Sequence, residues 1–438
     1  MEAFTEKISE ALKPEAREAS GSRAGCASSR GPSGLPVHLE LLLRHVLGIP
    51  NGREPDLETR LDGEQWRAYA NAANHHYVSA LVAGKADMSR HDGKPTIDPE
   101  ALDMLAMQVK RSAYSVLVVS AALRRLHRDY LVPLGIRYAT FKGVTLGKTY
   151  YGSLAQRPCR DLDILVDPSS TELLVEQLLD AGYRFGARDA NESASARPDA
   201  VRKALVTRAR EFTLIDPAGG IIDVHTSLDL SCGSLDPARV LADCDICAIS
   251  GEDYPVLKTP DLFTYVCYHH ARHRYSRLHW LADIVTILKH PSFDADLVRQ
   301  TARAEGFGRL VEASMAMPAY LEARLEGRDH DKVDSLTRML GEACLQYLDP
   351  AEPGPEVVRS EGQVRLNDRV AYLIDMVRWD CSLRDGIWAI AQVLLWKLKP
   401  NHADMAGLEL PRAVRGLYWL TRPFRLAIKI VRPDWRSR

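Results

Sequence analysis

The chain has 438 residues, 46% hydrophobic and 26% charged, and its 57 Lys and Arg nearly balance 58 Asp and Glu for a net charge of −1. These values are those of an average globular sequence and exclude wholesale disorder, while the length predicts two or three domains at about 150 residues each. The near-zero charge excludes a protein built mainly to coat nucleic acid, and no apolar run reaches the roughly 20 residues of a membrane-spanning helix.

Residues 1–36 are rich in Ser, Gly, Ala, Arg and Pro and predict a flexible tail. The opening residues lack the basic-then-apolar order of a secretory signal, so a cytoplasmic location is expected. Residues 37–133 predict an N-terminal helical region in three segments: HLELLLRHVLG, EQWRAYANAANHHYVSALV, and a long stretch from Pro99. In the third, Leu105, Val109, Ala113, Val116, Val119, Leu123 and Leu126 recur every three or four positions.

The pattern changes at Pro133-Leu134-Gly135, and residues 134–230 predict a mixed α/β core. GIRYATFKG reads as a strand ending at Gly143, and DLDILV alternates Leu162, Ile164 and Val166 against Asp161, Asp163 and Leu165. SSTELLVEQLLDAG reads as a helix closed by Gly182, and the polar stretch 189–199 as a loop. EFTLI, the turn DPAGG and IIDVHTSL read as a β-hairpin. Residues 231–400 predict a C-terminal helical domain, with Thr259 as N-cap before Pro260 and one long helix or two consecutive ones after it. Residues 401–438 form a basic segment, in which 412–438 hold eight Arg and Lys against one acid. The eight cysteines are too sparse for a disulfide scaffold, and the pair Cys244 and Cys247 has no partner at zinc-site spacing.

Asp161 and Asp163 share a strand face, and Asp223 stands in a second apolar strand. If the strands are neighbours, three carboxylates converge, at a cost that divalent cations would remove. On its own a D-x-D triplet is better explained as a charge pair at a sheet edge. The upstream residues shift the balance. Gly143, between a strand and a helix, lets backbone N–H groups approach a phosphate, and Lys142, Arg157 and Arg160 could pair with its charge. No GxxxxGK[ST] or GxGxxG is present.

These residues carry a resemblance. Lys142-Gly143, Arg157-Pro158, Asp161-Leu162-Asp163 and Asp223-Val224-His225 are followed by His270, His273, Arg277, Leu278, Trp280, Leu281 and Asp283. The combination resembles a bacterial family of uncharacterised nucleotidyltransferases, within the superfamily that includes DNA polymerase beta, often associated with polysaccharide or peptide-modification gene clusters. The resemblance implies an α+β fold, with a small mixed-sheet, palm-like core flanked by N- and C-terminal helical domains. It implies transfer of a nucleoside monophosphate from an NTP to an unknown acceptor, with release of pyrophosphate. Asp161, Asp163 and Asp223 would hold two Mg²⁺ ions, Mn²⁺ being the alternative, with Asp223 also activating the acceptor hydroxyl. Lys142, Gly143 and Arg157 would hold the triphosphate. The superfamily's usual Gly-Ser is Gly143-Val144 here, and this departure supports a second reading: a regulatory module that binds a nucleotide or a partner without turnover.

His269, His270, His273 and His279 crowd one stretch, and helical spacing puts His270, His273 and Arg277 on one face. They are expected in the seam between the helical and α/β parts or in the triphosphate cleft, with His225 near the site beside Asp223. Metal-dependent hydrolysis by this HHxxH segment is a third, weaker reading. The basic segment 412–438, with Tyr418, Trp419 and Phe424, suggests peripheral contact with an anionic membrane. No sequence-specific nucleic-acid partner is expected.

Overall fold

The computed structural model describes residues 30–49 except 32, then 61–87, 97–186, 210–229, 234–328, 332–351 and 377–398, with isolated positions elsewhere. The expected tail up to residue 29, the loop at 189–199 and all but four positions of 412–438 lie outside the described residues.

The first helix, α1 (Val37–Leu47), is buried on nearly every side and closes at Gly48, whose φ of 68° is left-handed. Helix α2 (Gly63–His75) opens with a capping box between Asp62 and Gln65. The segment that continues it in sequence breaks at Tyr77 (φ 56°), and α3 (Ser79–Asp87) follows. Helix α4 (Pro99–Leu126) starts where the Asp98 carboxylate accepts from the Ala101 N–H. Its apolar period holds: Leu105, Val116, Val119, Leu123 and Leu126 are buried.

A sheet and its helices follow: β1 (Tyr138–Thr140), α5 (Gly143–Tyr150), β2 (Asp161–Val166), α6 (Thr171–Asp180), β3 (Arg184–Phe185), β4 (Glu211–Ile215), β5 (Ile221–His225), α7 (Pro237–Ala242), β6 (Asp245–Ile249) and β7 (Glu252–Val256). The seven strands lie in the order β3-β4-β5-β2-β1-β7-β6. The sheet is mixed, with β2/β5 and β1/β7 parallel and the other pairs antiparallel. The hairpin expected over 211–225 is present, with Ile215 opposite Ile221. Hairpin β6–β7 arises in a segment read as helical. Ser250 (φ 52°) and Gly251 (φ 82°) form its two-residue turn, the left-handed pair that matches strand twist.

Helices α8 (Thr259–Arg272), α9 (Leu278–Leu288), α10 (Ala295–Ala304), α11 (Gly308–Leu325), α12 (Ser335–Gln346) and α13 (Gly386–Leu398) follow the sheet. Thr259, expected as the N-cap of α8, is its first residue instead, and its hydroxyl lies 2.9 Å from the Tyr150 hydroxyl. Both faces of the sheet are covered. Leu162, Ile164, Ile222 and Val224 pack on α4 and α6. Ala139, Phe141 and Leu165 join a larger core to which helices from both ends contribute, Leu42 and Tyr69 together with Leu281, Leu310 and Leu340. Each such fully buried side chain is worth about 1.5–3 kcal/mol.

Polar links fasten the same helices. Arg44 Nη2–H donates to the Leu325 carbonyl at 3.1 Å, and the Lys289 ammonium to the Leu47 carbonyl at 2.9 Å. His76 Nδ1 accepts from the Leu278 N–H, so Nε2 carries the proton that goes to the Leu348 carbonyl at 2.8 Å. Among the described residues no helix is long and apolar enough to cross a membrane.

Candidate active site

Parallel pairing of β2 and β5 sets Asp163 beside Asp223 and Asp161 beside Ile221. Alternation then puts Asp161, Asp163, Asp223 and His225 on one face of the sheet. It is the face whose next β2 residue, Leu165, enters the shared helical core. Asp163 and Asp223 are buried and Asp161 is half-buried.

One cation serves this cluster. The Lys142 ammonium lies 3.1 Å from Asp163 Oδ1, and His225 Nε2 contacts the same oxygen at 3.1 Å. Burial would raise the Asp163 carboxyl, but Lys142 and His225 outweigh it and hold the group below the usual range. Burial likewise opposes the charge on Lys142, yet Asp163 and Tyr265 keep it firmly protonated, with the Tyr265 ring 5.2 Å from Nζ. Glu211 shares that help, held low by His225 and Lys142, whereas Asp161 and Asp223 receive too little of it. Burial and the neighbouring Asp163 raise Asp161, and the same two causes push Asp223 up to about 6. Thr213 Oγ1–H donates to Asp223 Oδ1 at 2.6 Å, which lessens that rise, while Asp161 and Glu211 add to it.

Among the described residues no three His, Cys, Asp or Glu side chains are set to hold one metal ion. Asp163 is engaged by Lys142 and His225, and Asp223 by Thr213. The donor set still suits a hard cation. Its ligands are carboxylate oxygens, and the raised Asp161 and Asp223 record negative charge that the protein leaves uncompensated.

Gly143 opens α5 with φ 58°, and a Cβ there would lie 3.4 Å from the Asp161 carbonyl. The left-handed φ is what favours glycine there, and a Cβ would meet the Asp161 carbonyl at ordinary contact distance. Val144 is 1% exposed and packs in the α4–α6 core. The next hydroxyl, Thr145 Oγ1, donates back to the Lys142 carbonyl at 3.1 Å.

Arg157 lies elsewhere than at the carboxylates. Its Nε and Nη2 donate to the two oxygens of Asp283, both at 2.8 Å, and both residues are buried. Tyr151 Oη–H donates to the same Asp283 at 2.8 Å, and His270 Nε2 lies 3.2 Å away. Arg157 outweighs burial and holds Asp283 far below the ordinary range, while burial brings His270 to about 4.

The expected single face of His270, His273 and Arg277 does not form. Helix α8 ends at Arg272, and the left-handed pair Arg274 (φ 55°) and Tyr275 (φ 48°) turns the chain before Arg277 caps α9. His270 stacks on Trp280 with centroids 5.8 Å apart, and His273 lies 5.0 Å from the same ring. Burial holds His269 and His279 well below the usual histidine value, so these are neutral aromatic groups. Arg160 is exposed, with its guanidinium carbon 4.9 Å from the Tyr77 ring.

Glu211, Thr213 and Tyr265 join the site without having been singled out from the sequence. The first two were within reach: they alternate on β4, and the hairpin register sets Thr213 opposite Asp223. Tyr265, on a buried face of α8, carries no such signal.

A mixed sheet that gathers carboxylates beside a glycine-led helix agrees with the comparison to known families. The chain belongs to the family described as uncharacterised nucleotidyltransferase, whose model matches residues 62–321, a span holding all the residues of this site. By family, then, it is a transferase of the nucleotidyl class. No curated protein matches the chain.

Proposed function

We propose that the chain transfers a nucleoside monophosphate from an NTP to an acceptor hydroxyl, with Mg²⁺ held by Asp161, Asp163 and Asp223. The observation that carries this reading is the β2–β5 register, which brings three carboxylates to one face with one cation among them. A bound divalent ion supplies charge neutralisation at the reacting phosphate. The acceptor oxygen bonds to the α-phosphorus, the bond to the β-phosphate oxygen breaks, and pyrophosphate leaves. Asp223, on the same sheet face as Asp161 and Asp163, would take the acceptor's proton. Lys142 and the free N–H groups that open α5 hold the phosphates.

A second reading has one observation behind it. Val144 fills a core position where the superfamily carries a phosphate-binding Ser, as a module that binds without turnover would allow.

Calorimetry with all four NTPs, with and without Mg²⁺, tests the proposal on the wild type and Asp161→Asn. Mg²⁺-dependent binding that the variant loses is the expected result. Equal NTP binding by both proteins overturns the assignment of the site.

A further inference from the structure

Of the cationic side chains singled out from the sequence, Lys142 is engaged by Asp163 and Arg157 by Asp283, while Arg160 immediately precedes Asp161 at the start of β2. Arg160 and Arg277 have no carboxylate partner among the described residues. Both stand over one ring. Their guanidinium carbons lie 4.9 Å and 5.8 Å from the centre of Tyr77.

The surroundings hold this pair in place. Tyr77 has φ 56°, the left-handed residue that ends α2, and the Val78 N–H donates back to the Ala73 carbonyl. Arg277 is presented by the left-handed Arg274 and Tyr275, and its Nη1–H donates to the His75 carbonyl at 3.0 Å and to the His75 ring. His279 meets Tyr77 edge-on at 5.4 Å, and its buried Nδ1 has no partner. Two guanidinium groups at one ring repel each other, and an anion between them would relieve that repulsion. Guanidinium groups match the oxygens of phosphate two at a time.

We infer that Tyr77, Arg160 and Arg277 form a phosphate-binding subsite beside Asp161. Phosphate, rather than another oxyanion, rests on the nucleotidyltransferase reading; the anion site itself does not. The phosphate has two sources, the tail of the NTP or a phosphate carried by the acceptor.

Full-length protein titrated with inorganic pyrophosphate and with inorganic phosphate tests the site, comparing wild type with Arg160→Gln, Arg277→Gln and Arg277→Lys. Loss of one charge-assisted contact should weaken pyrophosphate binding about tenfold or more in each Gln variant, with part recovered in Arg277→Lys. If Mg²⁺–NTP affinity falls by the same factor, the phosphate is the nucleotide's. If NTP affinity holds while NTP-saturated protein loses phosphate binding, it is the acceptor's. Either result supports the subsite. Unchanged anion affinity in Arg160→Gln, which is exposed and leaves packing intact, overturns it, as does a wild type that binds neither anion. NTP binding that survives Asp161→Asn would remove the proposed function and leave the subsite standing.

Discussion

Two buried carboxylate clusters in this chain are built from the same kinds of parts, an aspartate with a cation and a histidine. Around Asp283 the parts balance. Arg157 takes both oxygens, Tyr151 and His270 complete the shell, and the carboxyl is held far below its ordinary range. Around Asp163 they do not. Lys142 and His225 hold Asp163 and Glu211 low, while Asp161 and Asp223 crowd beside them and Asp223 rises to about 6. Burial is common to both, so burial does not separate a fastening from a reactive site. Charge balance does: the first cluster is complete without a ligand, and the second leaves Asp161 and Asp223 with raised carboxyls.

The largest test of that contrast falls on the balanced cluster. Asp283→Ala strands a buried guanidinium and should cost about 3–5 kcal/mol, read as a lowered urea midpoint. Replacing the whole pair, Arg157→Met with Asp283→Leu, should recover most of it, and Mg²⁺–NTP affinity of that double variant should match wild type. A fall in affinity would move Arg157 to the phosphates and break the contrast.

The unbalanced cluster should respond with the opposite sign. A raised carboxyl means that the folded state holds the proton more tightly than the unfolded chain. Ionised Asp223 therefore subtracts stability, increasingly from about pH 4 to 6 and fully above that. Without added metal, Asp223→Asn should be more stable than wild type by roughly 2–3 kcal/mol at pH 8, and show no gain near pH 4. Thermal or urea melts at the two pH values decide it, and an equal effect at both would mean the charge is already compensated.

The smallest expected effect concerns the glycine that brings α5 against β2. Gly143→Ala forces a methyl into a left-handed residue beside the Asp161 carbonyl, at about 1–2 kcal/mol. Its melting temperature should drop modestly, and a wild-type value would show that the α5 start relaxes freely.

Much of the sheet site was legible because strands are local and alternate. Asp161 and Asp163 declare a shared face by spacing alone, and the 211–225 hairpin carries its turn in DPAGG. The pairing of Arg157 with Asp283 was not, because 126 positions separate the partners and no period links them. The break between α8 and α9 was hidden for another reason: Arg274 and Tyr275, not glycine or proline, adopt the left-handed turn. Hairpin β6–β7 escaped because its turn pairs Ser250 with Gly251 between strands with little apolar alternation.

The link from Arg44 to Leu325 joins residues 281 positions apart. Ribosomes add about 5–20 residues per second, so Arg44 is made roughly 15–55 s before its carbonyl partner. During that interval Leu41, Leu42 and Leu43, none of them exposed in the finished fold, have nothing of the later helices to pack on. Until Leu278–Leu288 and Gly308–Leu325 are made, α1 has only its N-terminal neighbours α2 and α3 to pack on, so its apolar cover is completed late in synthesis.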